Sequence, residues 1–319
     1  MATSRRACAL KRTIIDALER ESASEVAIAC ARSGTSATRG ELASRARAFA
    51  RALEDLGYMD DHTRALGVVA KNSIEHFVAV LGCALAGVSV RYGKEAKEFA
   101  SGEPLARGIA CDASQIKHAG SIVGAHEPIA FGRGVGLRDD AIMFAVIEAA
   151  YRGQDVERGA TERQSAFYFS RSLVVDGEAL LAMANRAAHA MELTKNDSVC
   201  VAAPLGHSFG FAYGALAALA RGSRVVLATT EDGEGEGERA HAALRARAIE
   251  AIRNEKCALV VCDSHVAGAA DAGEDVFAGA SSAFRGGLVK IGSGDAIGRL
   301  GDGARFLGVD LLPVGMRKK

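Results

Sequence analysis

Four residues late in the chain have side chains of the types that bind zinc. Cys257, Cys262, Asp263 and His265 lie close together in the sequence. Structural zinc sites use two short-spaced pairs of Cys or His ligands, and the sequence offers no second pair with that spacing. We therefore favour a buried strand that ends in a polar turn, and we predict no metal site.

His207 and Ser208 have the side-chain types of a general base and a nucleophile. Adjacent residues rarely point at each other, and the sequence has no Gly-x-Ser-x-Gly turn of the kind that exposes a nucleophilic serine. The glycines at 132, 134 and 136 have the wrong spacing for a dinucleotide-binding loop, which also needs a helix directly after it. We predict a turn at these glycines and assign no catalytic residue.

The spacing of apolar residues predicts the elements that would position these side chains. Asn72 is predicted to cap the second helix, and Gly57 and Gly87 to end the first two. The predicted helices span 42–53, 74–85, 141–151, 178–191, 209–220 and 240–255, and the predicted strands span 26–31, 65–69, 109–111, 121–123, 128–131, 167–169, 173–175, 199–203, 225–228, 258–262, 288–291 and 306–312. Strands that alternate with helices predict an α/β fold of layered, mostly parallel sheets with helices on both faces.

The composition excludes several classes of protein. Lys+Arg and Asp+Glu are both 39, so the chain lacks the basic excess of a nucleic-acid-binding protein. The longest apolar run, 209–220, is too short to cross a bilayer, so no transmembrane segment is predicted. The seven cysteines are an odd number in a long chain, and we expect reduced thiols that are mostly buried.

Several segments, taken in order, resemble one enzyme family. Segments 41–57 and 66–75 are similar to a Tyr-x-Glu-Leu helix and a strand that leads into Asn-x-x-Glu. Segment 193–210 is similar to Leu-Thr-Pro-Gly-Asp, a strand, Pro-Leu-x-His and a glycine-containing helix. Segments 284–296 and 308–316 resemble a Gly-Gly-Ala segment and the strand before Tyr-Gly-x-Thr-Glu. Together they resemble the N-terminal domain of the adenylate-forming acyl-CoA synthetases.

The resemblance implies two lobes, at 1–164 and 165–319, and implies that the small C-terminal domain of the family is absent. Within the second lobe, His207 occupies the position of the family's residue near the acyl and adenine region. The resemblance makes His207, Gly292, Gly294 and Gly315 candidate remnants of a ligand pocket. For His207, the alternative is a histidine packed at the start of a helix, and we favour that alternative because a single histidine is not a site.

Two departures from the family fall on the groups that would handle ATP. The family's Gly/Ser/Thr-rich loop, which cradles ATP phosphates, would follow Ser170, but the chain has no glycine from there until Gly177 and no lysine until Lys195. A magnesium-binding Glu would follow Gly315 and Met316, where the chain has 317–319, all basic. These missing groups would hold the ATP phosphates and the magnesium ion, and such electrostatic stabilisation is usually the largest catalytic contribution. We therefore predict no nucleotide or other cofactor.

These departures predict a non-catalytic acyl-CoA synthetase-like protein that serves as a structural or accessory subunit of a larger assembly of protein subunits. Two alternatives stay open: an AMP-forming acyl-CoA ligase that acts with a partner, and a binder of an acyl group, CoA or a nucleotide without turnover. The first fifteen residues carry four basic side chains and no acid, which is typical of mitochondrial targeting segments. The expected location is therefore mitochondrial or, if this segment is only the basic start of a helix, cytoplasmic.

Overall fold

The computed structural model describes residues 14–15, 18, 22–59, 65–100, 106–116, 128–132, 141–156, 165–170, 173–229, 237–267, 276–277, 279–290 and 297–300. The strands are β1 (Val26–Cys30), β2 (Ser36–Thr38), β3 (Ala65–Val69), β4 (Ser89–Tyr92), β5 (Ala106–Asp112), β6 (Ile129–Phe131), β7 (Ile142–Met143), β8 (Ala166–Tyr168), β9 (Val174–Asp176), β10 (Ser198–Ala202), β11 (Arg224–Leu227), β12 (Leu259–Asp263), β13 (Gly287–Lys290) and β14 (Ile297–Leu300).

The α-helices are α1 (Arg39–Asp55), α2 (Ile74–Ala86), α3 (Phe144–Ala150), α4 (Gly177–Ala190), α5 (Ala217–Ala220), α6 (Glu238–Glu255) and α7 (Ser264–Ala267). A π-helix over Phe209–Leu216 precedes α5, and short 3₁₀ helices span Ala96–Ala100 and Ala113–Gln115. No helix in the described part of the chain has the length and apolar character needed to cross a membrane.

Two sheets organise the described residues, each in a separate compact unit. The first sheet has the order β7-β6-β5-β3-β4-β8-β9, and the second has the order β14-β13-β12-β10-β11-β1-β2. Neighbouring strands are parallel except at three edge pairs, β8 with β9, β1 with β2, and β13 with β14. The predicted α/β fold with mostly parallel sheets is confirmed.

The boundary between the units differs from the predicted division at residue 164. The first unit contains 1–19 and 40–178, and the second contains 20–39 and 179–319. The physical reason is strand pairing: β8 and β9 join the first sheet beside β4, and β1 and β2 join the second sheet beside β11. The local sequence could not predict these pairings because the paired strands are far apart in the chain.

The N-cap of helix α2 lies one residue later than predicted, although the helix begins at Ile74 as expected. Ser73, and not Asn72, has the extended backbone of an N-cap, and its hydroxyl oxygen accepts a hydrogen bond from the backbone N–H of His76 at 3.0 Å. The helix ends as predicted at Gly87, whose left-handed backbone (φ 70°) suits glycine. Eleven of its thirteen residues are buried, so the helix lies within the core of the first unit.

The predicted helix over 209–220 is present, but its first two turns are π-helical. Gly210 explains how closely this helix packs, since a Cβ atom at that position would lie 2.3 Å from the carbonyl oxygen of Pro204. A second glycine, Gly214, faces Val201 on β10 at a distance that leaves little space for a side chain. All eight π-helical residues are buried.

Six of the cysteines lie in the described residues, and all six are buried free thiols: Cys30, Cys83, Cys111, Cys200, Cys257 and Cys262. Burial raises the pKa of Cys111 and of Cys257 to about 12, which disfavours the reactive thiolate. The expectation of reduced, buried thiols is confirmed for these six, and Cys8 lies outside the described residues.

Candidate functional site

The second sheet has a topological switch point beside its central strand. The connection from β10 leads to β11 on one side, and the connection from β12 leads to β13 on the other. In open parallel sheets, ligands bind outside the carboxyl ends of the strands at such a point. The side chains at this edge belong to the loop after β10 and to the last residues of β12 and β13.

The loop after β10 places His207 at this edge. The backbone N–H of His207 donates to the carbonyl oxygen of Pro204 at 3.0 Å, which closes a tight turn. The carbonyl oxygen of His207 accepts from the backbone N–H of Phe211 at 3.0 Å, so the residue is also joined to the first turn of the π-helix that begins at Phe209. The close approach of Gly210 to Pro204 holds the turn and the helix together.

The imidazole of His207 is oriented by a hydrogen bond at Nδ1 and lies beside a lysine at Nε2. Nδ1 accepts a hydrogen bond from the backbone N–H of Phe209 at 3.1 Å. A neutral imidazole has one acceptor nitrogen, so this bond assigns the proton to Nε2. Nε2 in turn lies 3.2 Å from Nζ of Lys290, the last residue of β13.

His207 and Lys290 therefore bring two hydrogen-bond donors to one point. Both side chains are half-buried, so the point is reachable from solvent. A protonated Nε2 and an ammonium group are both hydrogen-bond donors, and an oxygen of a carboxylate, phosphate or carbonyl can accept from both. The arrangement suits the binding of an oxygen-rich group.

Asp263 lies at the end of β12, between the strands that bring in the two donors. Its Oδ1 accepts the backbone N–H of Val266 at 2.9 Å, as an N-cap does for the short helix α7. Its backbone pairs with Lys290 in the parallel register of β12 and β13. The carboxylate therefore supports the strand end and the turn directly after it.

The position of the expected phosphate loop is a tight hairpin between β8 and β9. The backbone N–H of Phe169 donates to the carbonyl oxygen of Leu173 at 3.1 Å, and the N–H of Leu173 donates to Oγ of Ser170 at 3.1 Å. Tyr168 pairs directly with Val174 in the antiparallel register. The amide hydrogens of Phe169 and Leu173 are used within the turn.

The structure places one of the four predicted pocket residues. His207 lies at the carboxyl edge as described, whereas Gly292, Gly294 and Gly315 lie outside the described residues. The basic residues 317–319 and the glycines at 134 and 136 also lie outside them. Sequence reasoning missed Lys290, and the only clue available was a lysine at the end of a predicted strand.

The four residues considered for zinc serve separate roles. Cys257 and Cys262 lie in the hydrophobic core of the second unit. His265 stacks on His241, with ring centroids 4.7 Å apart. Across the described ranges, no three His, Cys, Asp or Glu side chains are grouped so as to hold a metal ion.

Solved structures with the same fold include acyl-CoA ligases and a luciferase. A benzoate CoA ligase from Burkholderia xenovorans aligns with a TM-score of 0.69 and 18% identity, over 94% of this chain and 64% of the ligase. A red-emitting luciferase from Phrixothrix hirtus aligns with a TM-score of 0.67 and 14% identity, over 89% of this chain and 56% of the luciferase. The N-terminal domain of FACL13 from Mycobacterium tuberculosis aligns with a TM-score of 0.65 and 14% identity, over 94% of this chain and 79% of that domain.

Comparison with the sequence patterns of known protein families found no match. Comparison with curated protein sequences also found none. At these identities the similarity is one of fold, and the chain spans little more than half of the luciferase and under two thirds of the benzoate CoA ligase. The chain has the fold of the N-terminal domain of adenylate-forming acyl-CoA ligases.

Proposed function

We propose that the chain is a non-catalytic acyl-CoA ligase-like protein that serves as a structural or accessory subunit of a larger assembly. The observation that carries the proposal is the hairpin between Ser170 and Leu173. In the enzymes that the sequence resembles, a glycine-rich loop at this position holds the phosphates of ATP.

The hairpin argues against a phosphate cradle for two physical reasons. A cradle directs successive backbone N–H groups at the phosphates, and the amides of Phe169 and Leu173 are already hydrogen-bonded within the turn. A cradle also needs glycines where the chain approaches the phosphates closely, and none occurs between Ser170 and Gly177. Without the cradle, the charge that develops as pyrophosphate leaves is not stabilised.

The catalytic half of the proposal is tested by pyrophosphate release. The purified chain is incubated with ATP, magnesium and a panel that includes benzoate and long-chain fatty acids, beside a ligase of the same fold as a positive control. We expect no release above that of a protein-free sample. Release that depends on one of the carboxylic acids would refute the proposal.

The proposed role as a subunit rests on a general property of folds: a fold can keep its packing and serve another role after its catalytic groups are lost. The described residues retain the sheets, a helix cap and a closely packed core, whereas the position of the expected phosphate loop has no glycine. The test is the mass of the native particle that contains the tagged chain. A fixed stoichiometry with other chains supports the role, and a monomer mass in a native extract contradicts it.

The compartment we propose is the mitochondrion, with the cytoplasm as the alternative. The support is the basic, acid-free composition of the first fifteen residues. A fluorescent protein fused after residue 319 tests it directly. Replacing the four basic residues Arg5, Arg6, Lys11 and Arg12 with glutamine should abolish mitochondrial import, and unchanged targeting would contradict the proposal.

A second candidate function is the binding of a carboxylate without turnover, and the contact between His207 and Lys290 favours it. Titration calorimetry with benzoate tests the candidate, since two donors at one point should hold a carboxylate. His207→Phe and Lys290→Met should each abolish binding, whereas Lys195→Met, on an exposed turn of the same unit, should not. Equal binding of benzoate by all variants would contradict a carboxylate site at His207 and Lys290.

The remaining alternative is a ligase whose partner supplies the missing groups. It differs from both candidates in one outcome: pyrophosphate release would appear only when the isolated partner is added. The fold supports this alternative at the level of the family alone.

A further inference from the structure

The carboxyl edge of the first sheet holds a buried aromatic cluster that plays no part in the proposed function. This sheet also has a switch point, because the connection from β3 leads to β4 and the connection from β5 leads to β6 on the other side. Helix α2 follows β3 after a four-residue connection, and its first turn carries His76. Tyr92 ends β4, Phe131 ends β6, and Phe169 comes directly after β8.

The imidazole of His76 is fully buried and has one free ring nitrogen. Nδ1–H donates to the carbonyl oxygen of Lys71 at 3.2 Å, which assigns the proton to Nδ1. Nε2 is therefore a bare acceptor. In the part of the chain that the structure describes, Nε2 has no hydrogen-bond partner.

The hydroxyl group of Tyr92 is a second buried polar group near this nitrogen. It is buried and has no hydrogen-bond partner within the described residues. The ring stacks on Phe169 with centroids 4.9 Å apart and an angle of 12°, which fixes its position. The rings of His76 and Tyr92 lie 5.9 Å apart, so the two unsatisfied groups belong to one cluster.

The cluster is built for a neutral group. Burial lowers the pKa of His76 to about 4, so the imidazole is uncharged at neutral pH. Burial also raises the pKa of Tyr92 well above its ordinary value, so the phenol keeps its proton. The aromatic rings of Phe131, near His76, and Phe169, on Tyr92, add apolar walls that would not solvate an ion.

We propose that a neutral hydroxyl group binds between His76 and Tyr92, donating its hydrogen to Nε2 of His76 and accepting the hydroxyl hydrogen of Tyr92. One oxygen then satisfies both buried groups, and native proteins leave very few such groups unsatisfied. The hydroxyl comes from an internal water or from a small neutral molecule such as a phenol.

The first test compares two tyrosine substitutions in the first unit by thermal unfolding. Tyr92→Phe keeps the ring stack and removes only the hydroxyl, and Tyr168→Phe makes the same change at a half-buried strand position. With a bound hydroxyl group, Tyr92→Phe should lower Tm by about 2–4 °C, because a satisfied buried hydrogen bond is lost. An unchanged or raised Tm for Tyr92→Phe overturns the proposal, because removing an unsatisfied hydroxyl does not destabilise.

The second test distinguishes the two sources of the hydroxyl. Phenol and toluene have nearly the same shape, so a larger rise in Tm with phenol than with toluene, lost in Tyr92→Phe, identifies a small-molecule site. A slowly exchanging water that gives nuclear Overhauser contacts to the ring protons of His76 identifies an internal water. The absence of both signals overturns the proposal. These tests are independent of ATP chemistry, so their outcome leaves the proposed function unaffected.

Discussion

The sheets of the two units share one pattern of strand order, and they differ in the direction of one edge strand and in the residues at the ends of the strands. In each unit a central strand has three strands on one side and three on the other, and the last two strands on one side form an antiparallel hairpin. The central strands are β3 and β10, and the hairpins are β8-β9 and β1-β2. Each hairpin precedes, in sequence, the main strands of the unit that it does not join. The order of the strands is thus shared. The hairpin β1-β2 belongs to the second sheet and the hairpin β8-β9 to the first, so the chain passes between the units at both hairpins.

The carboxyl edges of the two sheets have opposite chemistry. The first edge carries buried, uncharged aromatic groups around His76 and Tyr92. The second edge carries half-buried polar groups, His207 and Lys290, that can receive an oxygen-rich ligand. The strand order of a sheet therefore determines where a site can form, whereas the residues of the loops and strand ends determine what the site can bind.

The largest expected difference between the units concerns glycine packing. Gly210→Ala should lower the free energy of unfolding of the second unit by about 3 kcal/mol, because the new Cβ atom meets the backbone carbonyl of Pro204. Gly67→Ala in β3 should cost only about 1 kcal/mol, because its new Cβ atom meets the ring of Phe99, which can shift. Amide hydrogen exchange in each unit measures both effects, and equal losses would contradict the packing argument.

The next effect is a dependence on pH that His76 gives to the first unit. Its folded pKa of about 4 lies below the ordinary value of 6.5, so between these values the unfolded chain binds a proton that the folded chain does not. Its contribution to stability is therefore complete above about pH 6.5 and falls as the pH is lowered towards 4. From about pH 7 to about pH 5 the loss should be about 2 kcal/mol.

Denaturation followed by tyrosine fluorescence measures this loss, since the chain has no tryptophan and four of its five tyrosines lie in the first unit. His76→Leu is the matched variant, because it leaves all other titrating groups in place. The difference in stability between the wild type and this variant should change with pH by the same amount. A difference that is constant across this range would contradict the account.

A smaller effect is expected at the cap of α2. Ser73→Ala removes the acceptor for the N–H of His76 and should lower the free energy of unfolding by about 1 kcal/mol. The Asn72→Ala substitution leaves this hydrogen bond in place, because Asn72 is not the cap. Urea denaturation of Ser73→Ala measures the loss, and an unchanged stability would contradict the assignment of Ser73 as the cap.

The smallest effect is expected at a surface ion pair of the first unit. Arg47 and Asp155 are in contact, but the carboxylate is half exposed and screened by water. Arg47→Gln should change the free energy of unfolding by about 0.5 kcal/mol or less. A change several times larger, measured by the same denaturation experiment, would show that this pair belongs to a wider network.

The elements that local patterns determine could be predicted from the sequence. Helical spacing placed α1 at 42–53 and a compact apolar run placed β3 at 65–69, and both are present in the structure. The cap of α2 was assigned to the wrong residue because Asn72 and Ser73 are both capping types. Only the backbone dihedrals, φ −149° and ψ 164° at Ser73, decide between them.

Features that depend on distant residues could not be predicted. The π-helix requires the approach of Gly210 to Pro204, and the unit boundary requires β8 to pair with β4. The contact of His207 with Lys290 joins residues that are 83 positions apart. A local sequence pattern cannot contain contacts between residues so far apart, and the contact of His207 with Lys290 is the one that forms the candidate site.

The central claim is that the hairpin formed by β8 and β9 does not hold a triphosphate. Titration of the labelled chain with ATP and magnesium, followed by the amide resonances of Phe169, Ser170 and Leu173, measures this directly. We expect no saturable shift of these resonances, because all three amides are hydrogen-bonded within the turn. A saturable shift at all three residues, with stabilisation of the chain by the nucleotide, would contradict the central claim.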